Sequence, residues 1–445
     1  MRRIWALIII ILVLISSAAV FGVQEPESEI QIQLEAPQVP PLPSDSKAPV
    51  ALDKIGNGYR PDIKAASAIL VDSETGQILY SKKPNYRRPV ASTTKIMTAL
   101  LVLEHCDLNS YVTASKEASL IPYSGLHLVP GEKLTVRDML IGMMLRSAND
   151  AAYAFAEYVS GSPSRFIVLM NAKAKALGLK DTHFKNPNGL YVPGHYSTAY
   201  DLSALARAAI KNPTFNEIVA MRRATLHRSK NTKDVVVYKR TPFLKYPGAD
   251  GIKSGYTKEA GYCYVGSATR GGWRLISVVL KSDNASRDSI ALMDYGFNNF
   301  QRVVLIPREK QYRFTVVGGK SKFAAANPKE QLYAVVAKGV NQKVSSKVVI
   351  SEVKAPIKKG QQVGKIIAYV NGTFVKSVSL VAEEDINKSF TSVAWQWLRF
   401  PAGIFLAGSV LNRRRRVIRG RTPAKNTLIR RRRFTPAVRG DNFRR

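Results

Sequence analysis

The stretch Arg88-Pro-Val-Ala-Ser-Thr-Thr-Lys95 and the apolar run that follows it decide the fold of this chain. Apolar residues at positions 96, 97, 100, 101 and 103 recur at helical spacing, which predicts a helix from Ser92 to Glu104. Ser92 and Lys95 then share one helix face. A serine hydroxyl needs a base within hydrogen-bond reach, and a neutral lysine can be that base. The stretch therefore suits a serine nucleophile at a helix start, where backbone N–H groups favour developing negative charge. Taken alone, Ser-x-x-Lys is more typical of a solvated helix face in a chain with 67 basic residues.

A second motif, Ser147-Ala148-Asn149, follows the apolar run Met139 to Leu145. Its position predicts a helix end or a loop next to the core. The hydroxyl of Ser147 can relay a proton between a base and a leaving amine. The amide of Asn149 can hold a substrate carbonyl. Taken alone, a Ser/Asn pair is equally typical of an ordinary turn or cap.

A third motif, Lys253-Ser254-Gly255, lies within the run from Asp250 to Thr257. Glycine in a strand favours close approach of another backbone, so the pattern predicts a strand edge. A lysine there can attract the C-terminal carboxylate of a peptide, which Ser254 can also hydrogen-bond, while the exposed main chain pairs with the peptide. A charged edge strand that only prevents aggregation has the same pattern.

In this order, the three motifs resemble the Ser-x-x-Lys, Ser-x-Asn and Lys-Thr-Gly elements of penicillin-binding proteins and serine β-lactamases. The chain is most similar to the low-molecular-mass D-alanyl-D-alanine carboxypeptidases, over residues of about 60 to 300. Further matching stretches are Ala68-Ile69-Leu70-Val71-Asp72 with Gly76, Asn186-Pro187-Asn188-Gly189-Leu190, and Ala199-Tyr200-Asp201-Leu202.

The resemblance assigns catalytic roles to four residues. It implies that Ser92 forms the acyl-ester and that Lys95 is its general base. It implies further that Ser147 relays the proton and that Asn149 orients the substrate. The activity expected from this set is removal of the terminal D-alanine from peptidoglycan stem pentapeptides, with sensitivity to penicillin.

Substrate binding is assigned by the same resemblance to Lys253, Ser254, Gly255 and Tyr256. Lys253 binds the carboxylate end of the peptide, and the backbone N–H groups of Ser92 and Tyr256 form the oxyanion hole. Ser254 departs from the family pattern, which has threonine. The hydroxyl is retained, so we expect binding to be retained, while the missing methyl affects rotamer control and substrate preference.

Three alternatives share some of these features. A β-lactamase of the main class needs a glutamate in a Glu-x-x-Leu-Asn setting to position water, and the acidic residues between 161 and 225, Asp181, Asp201 and Glu217, have no such setting. A peptidoglycan endopeptidase or transpeptidase shares the acyl-enzyme and differs only in the acceptor. A non-catalytic wall-binding protein would use the groove and the β domain, although the chain has both Ser92 and Lys95.

The remaining patterns predict a mixed α/β (α+β) domain followed by a small all-β domain. Two apolar runs between Ala65 and Tyr80, separated by a polar connection with Gly76, predict a hairpin. We place the catalytic domain, with an antiparallel sheet and a helical cluster, at residues 59–300, and the β domain at 301–385. Helices are expected over Val136 to Tyr158, Arg165 to Leu177, Ala199 to Ile210 and Ser286 to Phe300, and strands over Val235 to Tyr238, Tyr262 to Ala268 and Leu275 to Leu280.

Both ends of the chain carry membrane-directed patterns. Residues 1–23 combine two arginines with an apolar run, which predicts a signal peptide or a retained N-terminal anchor, and residues 24–58 form a proline-rich linker. Residues 390–412 are mostly apolar with tryptophans at the start, and they either span the bilayer or lie on it. The tail 413–445 has 14 Lys and Arg against one acidic residue, which suits anionic lipid next to an anchor.

These patterns also define the expected partners. The catalytic domain is expected on the extracytoplasmic face of the cell membrane, with peptidoglycan peptide, β-lactam inhibitors and membrane lipid as partners and no nucleic acid. The five histidines are scattered and the two cysteines, Cys106 and Cys263, cannot form a disulfide framework. We therefore expect no metal and no cofactor.

Overall fold

The computed structural model describes residues 60–230, 233–350 and 352–389. The predicted signal or anchor (1–23), linker (24–58), membrane-associated segment (390–412) and basic tail (413–445) lie outside the described residues. Within the described ranges, no helix is both long and apolar enough to cross a bilayer. The described chain forms two units. One holds the residues up to Val304 together with Tyr333–Ser345 and Tyr369–Lys376, and the other holds Leu305–Leu332, Ser346–Ala368 and the residues from Ser377 onward.

The helices and strands alternate through the first part of the chain, and strands alone follow residue 300. The helices are α1 (Lys95–His105), α2 (Lys116–Ser119), α3 (Val136–Leu145), α4 (Asn149–Ser160), α5 (Pro163–Ala176), α6 (Ala199–Ala209), α7 (Pro213–Ala220) and α8 (Ala285–Asn299). The strands before residue 300 are β1 (Ser67–Asp72), β2 (Ile78–Lys82), β3 (Tyr111–Thr113), β4 (Lys133–Thr135), β5 (Arg223–Leu226), β6 (Val235–Tyr238), β7 (Ala249–Thr257), β8 (Gly261–Arg270) and β9 (Trp273–Ser282).

A five-stranded antiparallel sheet of order β2-β1-β9-β8-β7 forms the centre of the first unit. The predicted early hairpin is confirmed as β1 and β2. Successive residues of β1 point to opposite faces: Ile69 and Val71 pack in the core with the helices, and Ala68 and Leu70 pack in the core with α8. The sheet thus has helices on both faces. Strand β7, which carries the third motif, lies at its edge.

The helix expected over Val136 to Tyr158 is wrong as a single element, because the structure has two helices there, α3 and α4. The break falls at Arg146 to Ala148, where Ser147 has a φ of 63°. The apolar periodicity continues across the break, so periodicity alone does not detect it. A similar adjustment applies at Ser92, which lies in a 3₁₀ turn, Ala91–Thr94, directly before α1.

The C-terminal strands confirm the predicted all-β domain. They are β10 (Phe300–Ile306), β11 (Tyr312–Val317), β12 (Phe323–Pro328), β13 (Leu332–Ala337), β14 (Val344–Ile350), β15 (Val353–Lys354), β16 (Gln362–Val370) and β17 (Thr373–Ala382). They form a six-stranded sheet of order β14-β16-β17-β12-β11-β15 and the pair β10-β13. The sequence reading missed β12, whose three consecutive alanines have low strand preference and whose pairing with β11 and β17 stabilises it.

Candidate active site

Ser92 lies at the point where the 3₁₀ turn enters α1. The turn is fixed by its own threonines: Thr93 Oγ1 donates a hydrogen bond to Val90 O (2.7 Å), and Thr94 Oγ1 donates one to Ala91 O (2.8 Å). Ser92 itself is half-buried, so part of its surface stays accessible to a substrate. The N-terminal end of α1 adds the positive end of its dipole at this position.

The amine of Lys95 is fully buried beside this serine. Its Nζ lies 3.1 Å from Ser92 Oγ, and it donates hydrogen bonds to Asn149 Oδ1 (2.7 Å) and to the carbonyl of Asn188 (2.6 Å). Burial lowers the pKa of Lys95 well below its usual value, Lys253 lowers it further, and Asp150 partly opposes them. Because its three neighbouring oxygens are all uncharged, nothing in direct contact compensates a positive charge. This environment favours a neutral amine that can take a proton.

The second motif occupies the break between α3 and α4. The hydroxyl of Ser147 accepts a hydrogen bond from Lys253 Nζ (2.9 Å), so this predicted relay is joined to the third motif. The side chain of Asn149 holds Lys95 through Oδ1 and donates from Nδ2 to Pro122 O (2.9 Å). One N–H of that amide is left to face a substrate carbonyl.

The third motif brings the sheet edge against Ser92. Lys253 is buried, and its Nζ also donates to Ser254 O (2.8 Å). Burial, followed by the charge of Lys239, lowers the pKa of Lys253 to about 7. Gly255 permits the approach: a Cβ at this position would lie 2.7 Å from the backbone nitrogen of Ser92. Tyr256, the last predicted binding residue, is 59% exposed.

Asn188, Gly189 and His195 contact the turn and helix that carry Ser92, and the sequence analysis assigned them no role. The carbonyl of Asn188 accepts from Lys95, and a Cβ on the adjacent Gly189 would lie 2.0 Å from Ala91 O. His195 is buried with its pKa lowered to about 4 by that burial, and its Nε2 lies 2.9 Å from Thr94 Oγ1. The Asn186–Leu190 stretch was a visible signal, whereas a histidine that contacts a threonine through space has no local signature.

Lys239 supports the third motif from behind. It directly follows β6, and its Nζ donates to Ile252 O (3.0 Å) and Val219 O (2.5 Å). It thereby joins the carboxyl end of α7 to the residue that precedes Lys253. Burial lowers the pKa of Lys239 to about 7, with Asp250 acting in the opposite direction. No local sequence pattern distinguishes this lysine from the other lysines of the chain.

A family model described as D-alanyl-D-alanine carboxypeptidase matches residues 56–284. The chain belongs to this family. A second model, described as the C-terminal domain of penicillin-binding protein 5, matches residues 300–388. The family resemblance inferred from the three motifs is therefore confirmed, together with the fold class, and the match extends through the β domain.

Individual relatives of the carboxypeptidase family agree. The D-alanyl-D-alanine carboxypeptidase DacF of Bacillus subtilis is 35% identical over 340 residues, which cover 73% of this chain and 87% of DacF. DacC of Escherichia coli is 33% identical and covers 79% of this chain and 92% of DacC. The solved structure of penicillin-binding protein 5 from Haemophilus influenzae has a TM-score of 0.62 at 28% identity and covers 74% of this chain and 99% of its own.

A further solved relative carries a different activity in its name. The DD-transpeptidase of Streptomyces K15 is 37% identical, with a TM-score of 0.52, and it covers 54% of this chain and 99% of its own. The same fold therefore occurs in a protein named for transfer to another acceptor.

Proposed function

We propose that this chain is a serine-type D-alanyl-D-alanine carboxypeptidase that removes the terminal D-alanine from peptidoglycan stem pentapeptides through an acyl-enzyme on Ser92. One observation carries the proposal: a buried lysine amine with a strongly lowered pKa lies 3.1 Å from the hydroxyl of Ser92. A lysine held neutral in this position is the base that a serine nucleophile requires.

In the acylation step, Lys95 takes the proton of Ser92 Oγ while that oxygen attacks the carbonyl carbon of the penultimate D-alanine. The negative charge on the carbonyl oxygen is met by the backbone N–H groups of Ser92 and Tyr256. The C–N bond then breaks, and the amine of the leaving D-alanine takes a proton from Ser147. Lys253, which donates a hydrogen bond to Ser147 Oγ, restores that proton.

Deacylation reverses the proton movements with water as the nucleophile. Water attacks the ester carbon and gives its proton through Ser147 to Lys253, which lost one in acylation, and Ser92 Oγ leaves with the proton that Lys95 took from it. The products are the shortened peptide acid and the free enzyme. A D-amino acid amine on a neighbouring stem would replace the water in a transpeptidase, which is the alternative that the K15 name favours.

Recognition of the substrate carboxylate falls to the edge strand. A protonated Lys253 attracts the carboxylate, and the hydroxyl of Ser254 donates a hydrogen bond to it. Charge-assisted hydrogen bonds of this kind are roughly twice as strong as neutral ones. A β-lactam has a carboxylate in the corresponding position, so the same pair supports penicillin binding.

The catalytic unit is proposed to work outside the cytoplasm, with the domain limits given above (59–300 and 301–385). Residues 1–23 direct export, and residues 390–412 attach the chain to the membrane, with the basic tail 413–445 on anionic lipid. A non-catalytic wall-binding function has less support, since it leaves the buried, neutral Lys95 unexplained.

The proposed activity is tested by incubating the full chain with a pentapeptide that ends in D-Ala-D-Ala and measuring free D-alanine. Release by the wild type and none by Ser92→Ala supports hydrolysis. Adding glycine or another amine acceptor distinguishes the transpeptidase: peptide-amine product in excess of peptide acid would replace hydrolysis as the main reaction. Failure of both products to form would leave binding as the function.

A further inference from the structure

The last described residues of the second unit lie beside the connection between β11 and β12. Residues 318–322 connect β11 to β12, and the last described residues pair with this turn. Ser389 N donates to Gly318 O (2.8 Å), and Lys320 N donates to Asn387 O (2.9 Å). Ile386, just before this segment, is buried. The polypeptide is therefore held against the turn at the point where it continues toward residue 390.

The side chains around this point combine cations with exposed apolar groups. Along β11, the buried Val316 alternates with exposed residues, and the exposed Val317 is in register with Lys354. The guanidinium carbon of Arg313 lies 3.9 Å from the centroid of the Phe323 ring, which is 40% exposed. Six exposed residues make up this region, which we call the exit surface: Arg313, Val317, Lys320, Lys322, Phe323 and Lys354.

The charge of the exit surface is positive. It holds four cations, and the acidic residues near it along the chain are Glu352, directly before β15, and Glu383, Glu384 and Asp385, directly after β17, of which Asp385 pairs with Lys358 (3.2 Å). Glu383 already accepts a hydrogen bond from Gln311, before the start of β11. An exposed phenylalanine and valine among lysines match the chemistry of a membrane interface, where cations meet anionic headgroups and apolar groups enter the headgroup layer.

The length of the following chain places this surface close to the predicted anchor. The apolar run Val393 to Leu411 begins four residues beyond Ser389. Four extended residues reach at most about 14 Å. The end of the second unit is therefore within about 14 Å of any bilayer that the run contacts, which is less than two Debye lengths of about 8 Å each at physiological salt.

We propose that the exit surface lies on the anionic headgroup surface of the membrane and forms a second attachment beside the C-terminal segment. The inference rests on the membrane tether in the proposed function and is independent of the catalytic mechanism. Each basic residue near an anionic surface strengthens binding about fivefold. Two attachments a short distance apart restrict the orientation of this unit relative to the membrane.

The test uses the full chain on vesicles of phosphatidylcholine with and without phosphatidylglycerol. An environment-sensitive dye is placed at Ser321→Cys in the turn, in a Cys106→Ser background, since Cys263 is buried. The control is Glu309→Cys, at the other end of β11 and about 20 Å away along the strand. We expect the dye at 321 to leave water on anionic vesicles only, and the dye at 309 to remain in water on both.

Charge is tested with two matched double variants. Lys320→Gln/Lys322→Gln should return the dye at 321 to water or weaken vesicle binding at least tenfold. Arg308→Gln/Lys310→Gln removes the same charge at the other end of β11 and should leave both readouts unchanged. Equal effects of the two pairs would overturn the inference, as would equal shielding of position 321 on neutral vesicles.

The remaining outcomes separate the inference from the proposed function. A chain that binds vesicles with position 321 in water contradicts the exit surface and leaves the tether intact. A chain that does not bind contradicts both. A dye change with a soluble anionic wall polymer and none with vesicles makes that polymer the partner and overturns the lipid assignment. D-alanine release, measured in every variant, should be unchanged, and its absence would count against the proposed activity instead.

Discussion

The two buried lysines of the site, Lys95 and Lys253, differ in what surrounds them. Lys95 contacts three uncharged oxygens from three separate parts of the chain and has a pKa well below its usual range. Lys253 contacts Ser147 and the carbonyl of Ser254, and its pKa is lowered to about 7. The surroundings of Lys95 therefore favour its neutral form, and near pH 7 Lys253 is divided between its two forms.

The two lysines therefore have different roles in the proposed mechanism. A neutral amine accepts a proton from Ser92, whereas an amine that titrates near 7 can hold a carboxylate and pass a proton to Ser147. Burial and then the charge of Lys253 lower the pKa of Lys95, whereas burial and then the charge of Lys239 lower the pKa of Lys253. Substitutions that treat the two lysines in the same way should therefore have unequal effects.

The largest expected effect comes from replacing each lysine with arginine. Arginine stays charged and cannot take up another proton, so Lys95→Arg should lower the rate of acylation by penicillin about 10³-fold. Lys253→Arg still attracts a carboxylate but cannot return a proton to Ser147, so we expect a smaller loss of about tenfold, in the acylation rate as well as in KM. Stopped-flow measurement with a fluorescent penicillin gives both rates.

Burying a larger side chain has its own cost, which needs a control outside the site. Lys173→Arg changes another buried lysine, one that pairs with Glu104 (2.7 Å). This variant should acylate at the wild-type rate. Equal losses for Lys95→Arg and Lys253→Arg, with both proteins folded by circular dichroism, would remove the distinction between a base and a carboxylate site.

A pH-dependent stability should accompany the lowered pKa of Lys253. The unfolded lysine keeps its proton up to about pH 10.5, whereas the folded one releases it near 7. Between these values the unfolded chain binds more protons, so the free energy of unfolding rises as pH increases above 7. Lys253→Met should flatten this rise by about 1 kcal/mol per pH unit. Urea unfolding at pH 7.0 and 8.5 measures this rise in both proteins. An equal rise in the wild type and in Lys253→Met would contradict a pKa of about 7 for Lys253.

The charge of Lys239 should also affect the titration of Lys253. Its charge is the second cause of the lowered pKa of Lys253, after burial, so Lys239→Met should raise that pKa. Since the carboxylate needs a protonated Lys253, the fall of kcat/KM at high pH should move to higher pH in this variant. Arg240→Met, the next residue along the chain, is the control and should keep the wild-type profile. A profile in Lys239→Met that only scales in height would indicate a purely structural role.

The smallest expected effect is that of the departure from the family motif. Ser254→Thr restores the usual residue and adds one methyl without removing the hydroxyl. We expect kcat/KM for the D-Ala-D-Ala peptide to change by about threefold or less, below the usual effect of a methylene in a pocket, because the hydroxyl proposed to bind the carboxylate is retained. A loss of tenfold or more would show that the strand edge has adapted to serine.

The site residues that could be predicted from the sequence are those whose residue type and spacing indicate a chemical role. Ser92 and Lys95 are three residues apart, and the 3₁₀ turn and α1 keep them on one side. Ser147 and Lys253 carried recognisable neighbours, and the structure joins them at 2.9 Å. The break at Ser147 within an apolar helical pattern was not predictable from periodicity, because backbone geometry and not hydrophobicity sets it.

The supporting atoms were beyond reach for a different reason. Lys95 is held by the carbonyl of Asn188, and Lys239 holds Ile252 O. Every residue has a carbonyl, so no residue type marks these contacts. Gly255 was predicted to admit a close backbone, but only the fold shows that the approaching group is the backbone nitrogen of Ser92.

The central claim, that Ser92 is the nucleophile and that neutral Lys95 activates it, is tested most directly by mapping the penicillin adduct. The full chain is treated with penicillin, digested and analysed by mass spectrometry. The account predicts one penicillin per chain, on the peptide that contains Ser92, and no adduct in Ser92→Ala or at early times in Lys95→Arg. An adduct on any other residue, or equal labelling of Ser92→Ala, would contradict it.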